Sequence, residues 1–376
     1  MEQGAEVRTF DVVILGGGIA GAALAARLSD GVRVAVVERE AALGLHTTGR
    51  SAAMYIPSYG STTIQGLTVA SRSFFVSPPS GFGPPLLSPR PVMHIADEAR
   101  RDRLEILAAK NDRFVRLEGE AARAAAPSIL RPQAVDAALI ERNCGDLDVG
   151  RLHQGFLRQA KEAGAVIRTG AGRCVIERRG ADWRLRGADL DLVAPVLVNA
   201  AGAWADELAA DAGVEVQGLT PMRRTVILVQ APNMPDFASW PVVKDIDERF
   251  YFRPYGGRLL ITPADETPSP PCDAAPEEMD IAEGMARFEA VADHPVRGLA
   301  ARWAGLRTFA SDRAPIIGWS RDTPGFFWLA GLGGFGIQTA PAMGRLAAAL
   351  VAGGAVPSDL VDRGVDVKAY APSRAS

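Results

Sequence analysis

The chain reads as an α/β protein: a discontinuous Rossmann-like nucleotide-binding domain with an inserted α+β substrate domain built on an antiparallel sheet. Three observations predict this. Val12 to Leu15 form an apolar run suited to a buried parallel strand, followed by Gly16, Gly18 and Gly21 in G-x-G-x-x-G spacing. A second small-residue turn follows the apolar run Val196 to Asn199, and a third, Gly331 to Gln338, precedes the C-terminal helix. Between these blocks lie alternating apolar and polar runs at 225–230, 250–253 and 258–262, the pattern of an antiparallel sheet.

Taken in order, Gly16 permits the tight turn, Gly18 lets backbone approach a pyrophosphate, and Gly21 lets the helix pack on the strand. The helix, expected from about Ile19 to Leu28, offers its N-terminal N–H groups and positive dipole end to phosphate. A second strand, Val32 to Val37, ends at Glu38, whose carboxylate can take both hydroxyls of an adenosine ribose. These features identify an ADP pocket and leave NAD, NADP and FAD open. The polar loop Gly44 to Ala53 has the glycines, hydroxyls and arginine of a segment lying against a cofactor. Six prolines between Pro78 and Pro91 mark a domain crossing. A strand at Pro91 to Ala96 and a charged helix at about Asp97 to Lys110 follow. Val149 to Ala163 reads as a helix with Leu152, Phe156 and Ala160 on one face. Short strands are expected at 165–168, 174–178 and 183–186, a helix at about Met279 to Ala292, and two more strands in Trp303 to Gly344. The division expected is 1–60, 145–215 and 300–376 for the nucleotide part, with 61–144 and 216–299 for the substrate part.

Composition narrows the class. The chain has 376 residues, 48% hydrophobic and 23% charged, with a net charge of −3, so no basic field points to nucleic acid. Its three cysteines, Cys144, Cys174 and Cys272, lie far apart without metal spacing and read as free thiols. No metal site is expected. The first ten residues lack a signal-peptide apolar region and no stretch has the length of a transmembrane segment, so the expectation is a cytoplasmic protein.

The fingerprint, the run Val-Leu-Val-Asn-Ala-Ala-Gly-Ala-Trp at 196–204, Trp-Ala-Gly-Leu-Arg at 303–307 and Gly-Leu-Gly-Gly-Phe-Gly-Ile-Gln at 331–338 together resemble the D-amino-acid oxidase superfamily of FAD enzymes over the whole chain. Residues 46–53, 86–91 and 152–155 are similar to the bacterial D-arginine dehydrogenase group. The resemblance implies FAD, held non-covalently, because no cysteine follows Cys272 where sarcosine oxidases carry their flavin-linking residue. It further implies that Gly16, Gly18, Ala20, Gly21, Glu38, Arg39 and Arg173 serve the ADP half. His46, Thr47, Thr48, Gly49, Arg50, Ser51, Ala52, Ala53 and Gly202 would line the rest, with Gly333, Gly334, Phe335, Gly336, Ile337 and Gln338 closing over the flavin.

For the substrate, the resemblance implies an amine or D-amino acid oxidised by hydride transfer from Cα to flavin N5. The imine would hydrolyse to a 2-oxo acid and ammonia, with a quinone, another carrier or O2 taking the electrons. Arginine suits the substrate carboxylate because it is planar, always charged and bidentate. Arg307 and Arg224 stand at family positions for this, Tyr59 and Tyr251 at positions that close the pocket, and the Gly334 carbonyl at one that meets the amine. Val92 stands where the D-arginine enzymes place a glutamate for the cationic tail, and Met54 and Ile56 are apolar where that group is polar. A cationic tail would lose its counter-charge, so neutral, apolar substrates are expected. An oxygen-using amine, N-methyl amino acid or glycine-type oxidase, and a non-catalytic flavoprotein subunit, are the alternatives.

Overall fold

The computed structural model describes residues 6–28 and 31–374. Val12–Leu15 is fully buried and pairs in parallel with Val34–Val37 on one side and Val196–Asn199 on the other. Val166–Arg168 extends the sheet beyond Val34–Val37, and Phe326–Ala330 and Ile316–Trp319 complete it beyond Val196–Asn199 as the fifth and sixth strands. Only the last pair is antiparallel. Buried on both faces, the four inner strands are near-continuous apolar runs without polar alternation.

Three helices cover one face. Ile19–Leu28, as expected, packs between Val149–Glu162 and Gly336–Val351. Asp148 caps the second of these, its carboxylate accepting from the Arg151 N–H, and the expected face of Leu152, Phe156 and Ala160 is buried. The opposite face of the sheet carries a four-stranded layer of Val7–Thr9, Leu190–Ala194, Asp182–Gly187 and Val175–Arg179, sealed by Trp183, Leu185 and Leu192.

A large mostly antiparallel sheet forms the second half of the molecule. Its spine is the eleven-residue strand Thr220–Gln230, flanked by Arg258–Thr262 and by Leu299–Phe309. Tyr251–Tyr255, Val242–Asp245, Val92–Ala96, Ala137–Glu141 and Phe114–Glu118 continue it outward. One side is dry: Met93, Val243, Phe252, Ile261 and Ile227 pack with Phe288 of the helix Glu278–Val291. Alternation then turns Val92, Val242, Lys244, Tyr251, Arg224 and Arg307 to the other side, toward the nucleotide-binding half.

The packing departs from the sequence reading in three places. Trp303 to Gly344 holds parts of three strands instead of two, and the long Leu299–Phe309 pairs with Thr220–Gln230, within the substrate sheet. Thr62–Val76, inside the segment assigned to the substrate part, is a helix packed on Gly336–Val351. Its Thr68 and Ser71 face that helix, accepting from Gln338 Nε2 (3.0 Å) and the Ala342 N–H (3.1 Å). The proline-rich segment contains a short strand, Leu87–Pro89, which joins Met54–Tyr55 and Gly145–Leu147 in a three-stranded sheet at the junction. Among the described residues, no helix is long and apolar enough to cross a membrane.

One buried histidine sets an acid limb. Among the described residues, neither ring nitrogen of His94 has a hydrogen-bond partner, and burial, helped by the Lys244 charge, pushes its pKa down to about 3, Glu248 opposing. The unfolded chain therefore binds a proton below about pH 6.5 that the folded chain refuses, and stability falls as pH drops from there toward 3. The slope from this group is at most about 1.4 kcal/mol per pH unit. His94→Leu is expected to flatten that limb and to raise stability at neutral pH by about 1–2 kcal/mol, because an unsatisfied buried polar group is removed. Urea midpoints measured between pH 7 and 4 check both effects.

Candidate active site

The glycine turn is built by close contact. Gly16 has φ +110°, and a Cβ there would lie 2.3 Å from the Ala200 carbonyl oxygen. A Cβ on Gly21 would lie 2.0 Å from the Gly16 oxygen, so helix and turn touch backbone to backbone. Around this turn the chain has filled its own donors. The Gly17 N–H donates to Glu38 Oε2 (2.9 Å), the Glu40 N–H to Oε1 (3.1 Å), and the Ile19 N–H to Thr48 Oγ1 (3.0 Å). His153, read from sequence as structural, sits behind the turn. Burial holds its pKa below the ordinary value, so the neutral ring donates from Nε2 to the Gly17 carbonyl (2.8 Å).

A cavity of about 360 Å³ runs from this turn to the large sheet. At its first end lie Gly16, Gly18, Ala20, Glu38, Arg39 and Arg173, then His46, Thr47, Thr48, Arg50, Ser51, Ala52 and Gly202. Gly333, Gly334, Gly336 and Ile337 line the middle, and Arg224, Tyr251 and Arg307 the far end. Gly49 and Ala53 flank the loop outside the cavity wall, and Gly21 serves helix packing. Of the residues expected at the site, Phe335, Gln338, Tyr59, Val92, Met54 and Ile56 do not line the cavity. Phe335 packs on Tyr59 and Phe309, while Gln338 Oε1 accepts from the Ile56 N–H (3.1 Å), because an amide buried in a helix interface must spend its bonds there. Arg173 is mostly exposed and paired with Asp211 (2.6 Å), which leaves its backbone to the cavity.

The loop 46–53 is stitched to the large sheet. Thr47 Oγ1 donates to the Leu306 carbonyl (2.7 Å), Arg50 Nη1 to those of Ala274 (2.7 Å) and Ala304 (3.0 Å), and Arg253 to that of Ala52. Trp303 Nε1 returns a bond to the Arg50 carbonyl (3.0 Å). Arg253 and Arg90 share Asp146 (2.6 and 2.7 Å), a partly buried node that periodicity did not reveal.

At the far end the two candidate arginines differ. Arg224 Nε donates to the Asp265 carbonyl (2.7 Å) and its Nη2 pairs with Glu266 (3.1 Å), so its charge is already matched. Burial and the nearby Arg307 hold its pKa below the ordinary arginine value. Arg307 has no ion-pair partner among the described residues; its one hydrogen bond is from Nη1 to Tyr59 Oη (3.4 Å). Gly334 makes room for it, since a Cβ there would lie 2.8 Å from the Arg307 Cζ. Beyond Arg307, Val92, Ile56, Cys144 and Val242 form a buried apolar cluster against which Met54, Tyr59 and Tyr251 pack. Burial alone would raise the Tyr59 phenol, but the Arg307, Lys244 and Arg224 charges hold it below its usual range. Lys244 was not read from the sequence; a lone lysine in a strand gives no signal until its register is known. A carboxylate does stand directly across from Val92, at Glu141, but it is bonded to the Ser58 N–H (3.2 Å) and Oγ (2.5 Å), and burial raises its pKa.

Beside a nucleotide turn, an acid at the second strand's end and a cavity continuing to an arginine-bearing sheet, the chain matches the family model FAD dependent oxidoreductase over residues 11–350. The chain belongs to that family. Its cofactor is FAD, and the residues fit it: a turn where backbone approaches closely, a helix N-terminus and the Glu38 carboxylate stand at one end of a single cavity. The chain is 26% identical to hydrogen cyanide synthase subunit HcnC of Pseudomonas aeruginosa, covering 94% of this chain and 95% of that one. Glycine oxidase from Geobacillus kaustophilus has the same fold, with TM-score 0.82 at 22% identity over 97% of this chain and 99% of the other. L-proline dehydrogenase from P. horikoshii gives 0.80 at 20% identity, covering 98% of both chains. Within this FAD-dependent family the chain is an oxidoreductase by membership, and the fold expected from the sequence is the one observed.

Proposed function

We propose that this protein oxidises the Cα–N bond of neutral, apolar D-amino acids. The observation that carries the reading is Arg307: a guanidinium at the cavity end with no carboxylate paired to it among the described residues, in contact with Tyr59 and beside Tyr251. A buried cation in that state calls for an anion, and an α-carboxylate held bidentately supplies one. FAD, when bound, accepts the hydride lost from Cα, and the nitrogen gives up one proton to water; the imine left behind takes up water to give a 2-oxo acid and ammonia. The chain's own contribution is positioning: Arg307 fixes the carboxylate, the tyrosines close the pocket, and the Gly334 carbonyl accepts from the amine. Similar proteins whose names include glycine oxidase and L-proline dehydrogenase support an amino acid as substrate.

The D preference rests on the resemblance of residues 46–53, 86–91 and 152–155 to D-arginine dehydrogenases. The apolar preference rests on the cluster of Val92, Ile56, Val242 and Met54, where a cationic tail meets no free carboxylate because Glu141 is committed to Ser58. Non-covalent attachment is supported by the cavity's cysteine, Cys174, whose thiol burial pushes up and so keeps protonated. Anaerobic flavin bleaching of the holoenzyme tests the reading against D- and L-amino acids and N-alkyl amines. D-leucine, D-methionine and D-phenylalanine are expected to bleach at least tenfold faster than D-arginine or D-lysine. Faster bleaching by the cationic pair would overturn the tail preference, faster bleaching by L-isomers the stereochemistry, and a flavin that stays yellow with every amine the whole reading. Peroxide formation in air, with and without an artificial acceptor, separates oxygen from a carrier.

A further inference from the structure

The cavity-facing side of the large sheet carries a cation that the proposed reaction does not use. Lys244 lies directly opposite Tyr251 in the strand register, with His94 on its other side, so its side chain rises from the same row as the pocket tyrosine. It is buried, and its Nζ sits 4.7 Å from the centroid of the Tyr59 ring, the ring whose hydroxyl accepts from Arg307. One strand position earlier on the same face is Val242, a member of the apolar cluster with Val92. Val92, Val242 and Lys244 stand outside the cavity wall, next to Tyr59, so the apolar cluster that adjoins the cavity beyond Arg307 ends at an ammonium.

That ammonium is held by a partner poorly suited to keep it. Glu248 Oε1 lies 2.9 Å from Nζ, but the Glu248 side chain is 59% exposed while that of Lys244 is 9% exposed. Glu248 also stands in the turn between the two strands with left-handed backbone, φ +56°, unusual for a residue with a side chain. A half-solvated carboxylate can move into water at little cost, whereas the lysine in the sheet cannot. Three cations, Arg307, Arg224 and Lys244, act on Tyr59, and among the described residues Glu266 pairs with Arg224 and Glu248 with Lys244. One substrate carboxylate balances Arg307; a second can take the place of Glu248.

We propose that Lys244 is a second anchor of the substrate site, receiving a carboxylate at the far end of the side chain, so that short dicarboxylic amino acids are the best-fitting class. This rests on the amine-oxidising reading and keeps its exclusion of cationic tails, but ranks acidic tails above the neutral, apolar ones: the tail would enter alongside the Val92 and Val242 cluster and end its negative charge at Lys244. Uncharged tails come next and cationic tails, facing an ammonium, last.

The test compares acids with their amide isosteres in the holoenzyme by anaerobic flavin reduction at subsaturating substrate. D-glutamate is expected to exceed D-glutamine, or D-aspartate D-asparagine, at least tenfold. Lys244→Met should bring that ratio to about one, Lys244→Arg should retain most of it, and Glu248→Gln should retain or increase it. A purely structural ion pair would make Lys244→Met and Glu248→Gln behave alike. A ratio of one or less in the unaltered enzyme, or one that Lys244→Met leaves intact, overturns the proposal. Glutarate against butyrate, followed as binding to the oxidised holoenzyme by the flavin spectrum, gives a readout that needs no turnover: tighter glutarate binding, weakened at least tenfold in Lys244→Met, supports the anchor, and equal binding overturns it. If D-leucine bleaches the flavin and glutamate does not surpass glutamine, the anchor alone fails. If no amine bleaches it, the amine-oxidising reading fails and the glutarate measurement still decides the anchor.

Discussion

Arg307→Met is expected to lower kcat/KM for the best amino-acid substrate by about two to three orders of magnitude. Truncating one partner of a buried, hydrogen-bonded charge pair costs roughly 2–5 kcal/mol. The effect should be larger than at Arg224, because Arg224 already has Glu266 and the Asp265 carbonyl whereas Arg307 waits for an anion. Arg307→Lys should recover only a small part, since a point charge on a flexible stem cannot reproduce the planar two-point grip. Flavin content should stay close to that of the unaltered protein, as the ADP half lies at the opposite end of the cavity. Stopped-flow flavin reduction on the loaded variant measures the loss. A decrease smaller than tenfold would remove Arg307 from the carboxylate site.

The second large effect is expected at Gly16. Alanine there meets two penalties together: a left-handed backbone at φ +110° and a methyl group 2.3 Å from the Ala200 carbonyl oxygen. Strain and overpacking of this kind cost on the order of 3–5 kcal/mol combined. Because Ala200 belongs to the turn after the neighbouring strand, relief would have to separate the two central strands of the nucleotide sheet. The Gly16→Ala protein should purify colourless, with FAD affinity reduced at least a hundredfold and a lower melting temperature. Gly21→Ala, whose methyl would lie 2.0 Å from the Gly16 oxygen, should behave similarly. Flavin titration of the apoprotein decides; a yellow, fully loaded Gly16→Ala protein would mean the turn can be rebuilt.

Much of this was legible in the chain because some signals are local. The turn at 16–21 is a stretch in which strand, glycines and helix follow one another within seventeen residues, so its geometry needs no distant partner to be inferred. The helix 149–162 carried its own apolar stripe and an aspartate cap. What escaped was register-dependent. Lys244 looks like any strand lysine until Val242–Asp245 is paired beside Tyr251, and neither Val242–Asp245 nor Ala137–Glu141 has a pattern that distinguishes it from a loop. Gln338 was misplaced for a related reason: its motif neighbours face the cavity, but a helix turns each residue by about 100°, and the amide points into the interface with Thr68 and Ile56. Arg224 and Arg307 were found as a pair, yet only their partners distinguish the satisfied cation from the one that waits.

The strand order of the nucleotide sheet has a consequence for how the chain is made. Val196–Asn199 stands between Val12–Leu15 and Phe326–Ala330, so one of its edges stays open until the last of the three has left the ribosome. At roughly 5–20 residues per second that interval is about six to twenty-six seconds. Throughout it, a nascent chain presents an apolar strand edge of the kind that recruits foreign strands. Translation speed across the stretch that encodes the large sheet thus bears directly on yield, and chains ending before Phe326 are natural clients for chaperones or proteases.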